Sequence, residues 1–83
     1  TGCTIEGKVD YSLISRGTHV YEDAEISHSL IFANNKIHSN AVVRYAILDK
    51  NVTVDAGVKI EGTKENPVVV SKGTHVTQDV IGG

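Results

Sequence analysis

Methionine and tryptophan are absent from these 83 residues, and cysteine, proline and phenylalanine occur once each. A single thiol, Cys3, cannot close an internal disulfide, which fits a reducing compartment and leads us to expect a cytoplasmic protein. No apolar run approaches the roughly 20 residues that a membrane-spanning helix needs. No charged-then-apolar leader is present either. A basic excess is also missing: 8 Lys and Arg face 10 Asp and Glu, for a formal net charge of -2. The cations are scattered along the chain, from Lys8 and Arg16 to Lys72. Nucleic acids and anionic membranes favour basic patches, so neither is expected as a partner. The length allows one domain with a limited core. With Thr1 first and no methionine, the chain is expected to be a piece of a larger polypeptide.

What is there is a repeat. Rows of 17 residues align the apolar positions into three columns: Ile14, Ile31 and Leu48; Cys3, Val20, Ile37 and Val54; Val9, Ile26, Val43 and Ile60. Within a row the spacings are six, six and five. A helical stripe recurs at three and four residues, so this rhythm is not helical. It fits a triangular coil of three short strands, each turning one aliphatic side chain inward. The stacked coils make an all-β parallel β-helix of hexapeptide type, with about 17 residues per coil.

The intervening residues supply corners. Gly17, Asn34 and Asn51 share one column, and Asp23, Asn40 and Gly57 another. Gly, Asn and Asp enter the left-handed backbone region most cheaply. Small residues Gly7, Ala24 and Ala41 precede the third ladder by two positions, where the chain bends over the interior.

A single domain over residues 1–83 is expected, with a loop insertion at 61–67, where Gly62 and the only proline, Pro67, break the register. The coil resumes over 68–76, since Val70 to Val76 echoes Ile14 to Val20. The tail, 77–83, is expected to fray, because nothing stacks beyond it.

Neighbouring strand residues point to opposite faces. Leu13, Leu30 and Ile47, each preceding a first-ladder residue, therefore point outward. Tyr11 and Tyr45 lie two residues earlier, with His28 between them. These five, Leu13, Leu30, Ile47, Tyr11 and Tyr45, form a candidate interface, because large exposed apolar patches mark contact sites. The alternative is that the corner folds them in as extra core.

No active site is legible among these residues. His19 and His75 share a column but lie several coils apart, while zinc needs three or four converging ligands. His28 and His38 fall in other columns. Glu22, Asp23 and Glu25 read as a solvated face that deters edge pairing. Cys3, on an inward ladder, reads as core filler. No catalytic, cofactor-binding or metal-ligating residue is assigned, and no phosphate-binding glycine loop is present.

One family resembles these residues. Ala46-Ile47-Leu48-Asp49-Lys50-Asn51-Val52, then Val54-Asp55-Ala56-Gly57, is similar to late coils of the ADP-glucose pyrophosphorylases, or glucose-1-phosphate adenylyltransferases. The opening, Cys3-Thr4-Ile5-Glu6-Gly7 through Arg16-Gly17, resembles their earlier coils. Gly62-Thr63-Lys64-Glu65-Asn66-Pro67-Val68-Val69-Val70, with Lys72-Gly73-Thr74, resembles the C-terminus of the bacterial regulatory-type partner subunit. The resemblance implies a left-handed coil, against the usual right-handed crossover rule. It implies a parent enzyme that makes ADP-glucose and pyrophosphate from ATP and glucose 1-phosphate, with magnesium, in glycogen biosynthesis. The catalytic motifs of that enzyme belong to an N-terminal domain and none is present here. The implied partners are that domain and other subunits of a homo- or hetero-oligomer, with roles in association and regulation. The competing reading is a hexapeptide acyltransferase acting as a trimer, and a further one is a zinc hydratase.

Overall fold

The computed structural model describes residues 3–82. The chain winds through five coils of short strands. The first coil holds β1 (Thr4–Ile5), β2 (Lys8–Asp10) and β3 (Leu13–Ile14), and the second β4 (His19–Val20), β5 (Glu25–Ser27) and β6 (Leu30–Ile31). The third holds β7 (Lys36–Ile37), β8 (Val42–Arg44) and β9 (Ala46–Leu48), and the fourth β10 (Thr53–Val54), β11 (Lys59–Glu61) and β12 (Val68–Val70). The fifth ends with β13 (His75–Val76) and β14 (Val80–Ile81). Stacking gives three sheets, β1-β4-β7-β10-β13, β2-β5-β8-β11-β14 and β3-β6-β9-β12, one on each side of a triangular prism. Every pairing is parallel, as a solenoid requires.

The three ladders lie inside. Val20, Ile37, Val54 and Val76 are buried on the first side, Ile26, Val43 and Ile60 on the second, and Ile31, Leu48 and Val70 on the third. Between them the small Ala24 and Ala41 are completely enclosed. One more buried column, Thr18, Asn35 and Val52, is largely polar. Asn35 is fully buried; its amide donates to the Phe32 carbonyl at 2.7 Å and its Oδ1 accepts the Val52 N–H at 2.6 Å. Thr18, one coil below, donates to the same Phe32 carbonyl at 3.1 Å.

The coils depart from a strict period at particular corners. Ile5, not Cys3, pairs with Val20. Only Glu6, Gly7 and Lys8 separate Ile5 from Val9, where the second coil spends Tyr21 to Glu25 between the same ladders. This corrects the inward placement of Cys3: the tighter corner moves the register by two residues. Cys3 is half-buried at the end of the stack, and its thiol points at the Ser15 carbonyl, 3.0 Å away. Gly7 is needed in the tight corner, because a Cβ there would strike the carbonyls of Ala24 and Tyr21. The fifth coil uses the same short corner, with Thr77, Gln78 and Asp79 between Val76 and Val80.

Within the expected tail, 77–83, the described residues include β14, with Val80 beside Ile60 and Ile81 beside Glu61, and Gly82 N–H donates to the Glu61 carbonyl at 2.7 Å; Gly83 lies outside the described residues. Between β11 and β12 the chain leaves the prism, closing on itself through a Thr63–Asn66 turn. Gly62 N–H binds the Arg44 carbonyl, and Val68 N–H binds the Tyr45 carbonyl, so the excursion starts and ends on the corner below it.

Candidate interaction surface

The sheet β3-β6-β9-β12 carries the outward residues singled out in the sequence. Register stacks Leu13 on Leu30, Leu30 on Ile47, and Ile47 on Val69. Alternation forces them outward, because Ile14, Ile31, Leu48 and Val70 turn in from the next positions. Leu13 is 70% exposed and Val69 67%, while Ile47 between them is half-buried. The row is therefore aliphatic over four coils and faces solvent. Val69 is absent from the 17-residue rows because the insertion displaces it; the echo around Val70 is the signal that locates it. Phe32 adds an exposed ring two residues beyond Leu30 on the same face.

One border of this face is the third corner of the prism, where Tyr11, His28 and Tyr45 stand above one another. All three adopt left-handed backbone angles, with φ of 49°, 50° and 49°. Bulky residues rarely sit there. Their rings stack, with centroids 5.0 Å apart for Tyr11–His28 and 4.8 Å for His28–Tyr45. That stacking offsets part of the backbone strain, on the order of 1 kcal/mol per ring pair. Tyr11 is 84% exposed, leaving the outer face of the stack open at the first coil.

Behind the rings runs a serine ladder. Ser12 Oγ donates to its own turn at the Asp10 carbonyl and accepts the Ser29 N–H at 3.1 Å. Ser29 Oγ repeats this one coil higher, donating to the Ser27 carbonyl and accepting the Ala46 N–H at 3.3 Å. Between the ring row and the leucine row lies an open groove of about 550 Å³, lined by Tyr11, Ser12, Leu13, His28, Ser29 and Leu30. Its floor hydroxyls are already committed to backbone groups, and no Lys, Arg, Asp or Glu lines it. The groove suits apolar side chains rather than a phosphorylated or charged small molecule.

The opposite border is the corner of Arg16-Gly17, Ala33-Asn34, Lys50-Asn51 and Lys72-Gly73. Hydrogen bonds from Asn34 N–H to Arg16, Asn51 N–H to Ala33 and Gly73 N–H to Lys50 stack these turns. The cations that look scattered along the sequence are thereby brought into line: Arg16, Lys50 and Lys72 occupy one edge. That edge was missed because a linear count does not know which residues share a corner.

The histidines do not converge. His19 pairs with Glu6 at 2.7 Å and stacks on Tyr21, which stacks in turn on His38. His75 meets Asp55 at 2.5 Å near the other end of the same sheet. Among the described residues no group of three or more His, Cys, Asp or Glu side chains is arranged to hold a metal ion. The acidic residues Glu22, Asp23 and Glu25 are exposed at the second corner.

Comparison with known proteins places these features. Residues 1–82 match the family model described as GlmU-like, C-terminal hexapeptide. The chain is similar to the glucose-1-phosphate adenylyltransferase of Frankia casuarinae, with 42% identity over 59 residues covering 71% of this chain and 14% of that enzyme. It is similar to the enzymes of the same name from Bacillus thuringiensis and Bacillus mycoides, each 30% identical over 74 residues, covering 87% of this chain and 20% of theirs. The chain thus spans a fifth or less of the length of these curated relatives.

Proposed function

The chain belongs to the GlmU-like C-terminal hexapeptide family, and on that footing we propose that it is the C-terminal β-helix of a glucose-1-phosphate adenylyltransferase. Its work there is subunit association and regulation in a cytoplasmic enzyme of glycogen biosynthesis. The resemblance implies that the parent joins ATP and glucose 1-phosphate to give ADP-glucose and pyrophosphate. The resemblance assigns those steps, and the magnesium that accompanies ATP, to the rest of the polypeptide.

The observation that supports the reading is the uncharged row Leu13, Leu30, Ile47 and Val69, exposed on a domain whose relatives are several times longer. An aliphatic row over four coils is costly in water and is favoured against protein, at roughly 25 cal/mol per Å² covered. A chain that spans a fifth or less of its relatives' length has neighbouring domains of a larger assembly to cover that row.

The test is ADP-glucose formation by the full-length subunit, alone and mixed with its catalytic partner, for the unaltered chain and Ile47→Glu. Stimulation of the partner by the unaltered subunit, lost in Ile47→Glu together with assembly, supports the reading. Unchanged assembly and activity in Ile47→Glu removes the interface, and no activity in either mixture removes the enzyme assignment.

A further inference from the structure

The outward face of β3-β6-β9-β12 has unequal borders. On the ring side, Arg44, next to Tyr45, pairs with Glu61 at 3.9 Å, and Asp10, next to Tyr11 in the same column, adds an exposed carboxylate. On the other side, Arg16, Lys50 and Lys72 line one edge and none of them is in an ion pair among the described residues. The one carboxylate beside them, Asp49, is engaged locally, its Oδ1 accepting the Lys50 N–H at 2.7 Å. Lys50 and Lys72 sit on successive coils, whose backbones are about 5 Å apart, so two cations share this edge with Asp49 as the one carboxylate beside them. This concentration occurs on a chain whose net charge is -2.

Aliphatic centre and one-sided cationic rim together describe a partner. We infer that the surface seated on this face is protein with an aliphatic centre and a row of carboxylates along the side that meets Arg16, Lys50 and Lys72. It is carried by the longer polypeptide of which this domain is a part. This rests on the proposed function, and adds the chemistry and orientation of what covers the face. Charge complementarity carries the orientation: turned the other way, the partner's carboxylates would meet the stacked rings and the paired Arg44 instead, leaving three cations facing apolar surface. The rim is a convex edge rather than a cleft, and the neighbouring groove has no charged lining, so neither holds a small anion by itself.

The experiment uses the full-length polypeptide carrying Val69→Cys, the exposed β12 end of the row, one coil beyond Ile47. Alkylation of residue 69 by iodoacetamide is followed by peptide mass spectrometry in native buffer and in urea, at low and high NaCl. Three backgrounds are compared: otherwise unaltered, Lys50→Glu with Lys72→Glu, and Lys8→Glu with Lys59→Glu. The last pair makes the same charge change on a different side of the prism. The expected result is strong protection of residue 69 in the native protein. The Lys50/Lys72 reversal lowers that protection several-fold, high salt weakens it in the unaltered chain, and the control reversal leaves it unchanged. Protection that ignores the Lys50/Lys72 reversal and salt overturns the carboxylate rim while leaving a covered face. Protection equally reduced by both reversals also overturns it, since the effect is then general charge. Labelling as fast in native buffer as in urea removes the covered face itself, and the proposed packing with it.

Discussion

The carboxylate of Asp79 accepts the backbone N–H of Lys59 at 3.0 Å. In the coils below, the equivalent N–H groups go to main-chain carbonyls: Lys8 to Ala24, Glu25 to Ala41, and Val42 to Val58. The final corner is two residues shorter, so no carbonyl reaches that place and a side chain stands in. Asp79→Ala therefore leaves the Lys59 N–H without its partner and loosens β14 from β11. The expected cost is about 1 kcal/mol, the worth of one hydrogen bond to a charged acceptor at an exposed site. Asp79→Asn keeps an acceptor and loses less. Amide hydrogen exchange at Lys59 and Ile60 reads the difference, and equal exchange in Asp79→Ala and the unaltered chain would remove the role.

Asn35 supports a larger effect. It is the fully buried polar side chain that ties the third coil to the fourth through Val52 N–H and closes its own turn through Phe32. Asn35→Ala removes both bonds and leaves the buried Val52 N–H unpaired, while the Phe32 carbonyl keeps Thr18, at about 1–3 kcal/mol in total. Asn35→Asp keeps the acceptor for Val52 but places a carboxylate against the Phe32 carbonyl, and is expected to be worse than Asn35→Gln only if the charge stays on. Urea unfolding of the three variants ranks them; an Asn35→Ala midpoint equal to the unaltered chain would contradict the bonding described.

Two glycines with nearly the same backbone separate strain from crowding. Gly17 has φ 76° and Gly57 φ 74°. A Cβ on Gly57 meets nothing within 4 Å, whereas one on Gly17 collides with Oδ1 of Asn34. Gly57→Ala should cost only the left-handed penalty, about 1–2 kcal/mol. Gly17→Ala should cost more, unless Asn34 swings aside, and Gly17→Ala combined with Asn34→Gly should recover the difference. Thermal melts of the single and double variants make the comparison.

How much of this was open to reading follows from what a 17-residue row can carry. The three ladders were legible because Ile, Leu and Val recur where each strand turns inward, and two corners were legible because Gly, Asn and Asp occupy left-handed positions. The third corner was not, since Tyr11 and Tyr45 are of a type that ordinarily avoids that region; their stacking on His28 is visible only in three dimensions. Cys3 took the place of Ile5 in the row because a two-residue deletion at a corner leaves no mark in an apolar count. Asn35 carries no apolar mark in the row, and its burial depends on the Phe32 and Val52 backbone groups it serves. The outward row was legible up to Ile47, and Val69 completes it only once the length of the insertion is known.

Adjacent residues on β6 give the sharpest check of which way the strands face. Leu30 is 36% exposed and Ile31 1%. Leu30→Ser removes a side chain that solvent already reaches, so stability should change by about 0.5 kcal/mol or less. Ile31→Ser opens a cavity in the ladder of Ile14, Ile31, Leu48 and Val70 and buries a hydroxyl, at about 3 kcal/mol or more. A solenoid amplifies the second change, because the coils above and below lose a stacking neighbour together. Denaturant unfolding of both variants measures the ratio. Comparable losses would mean that Leu30 packs as core, which was the competing reading of the outward row, and the covered face would then have to be sought on another side of the prism.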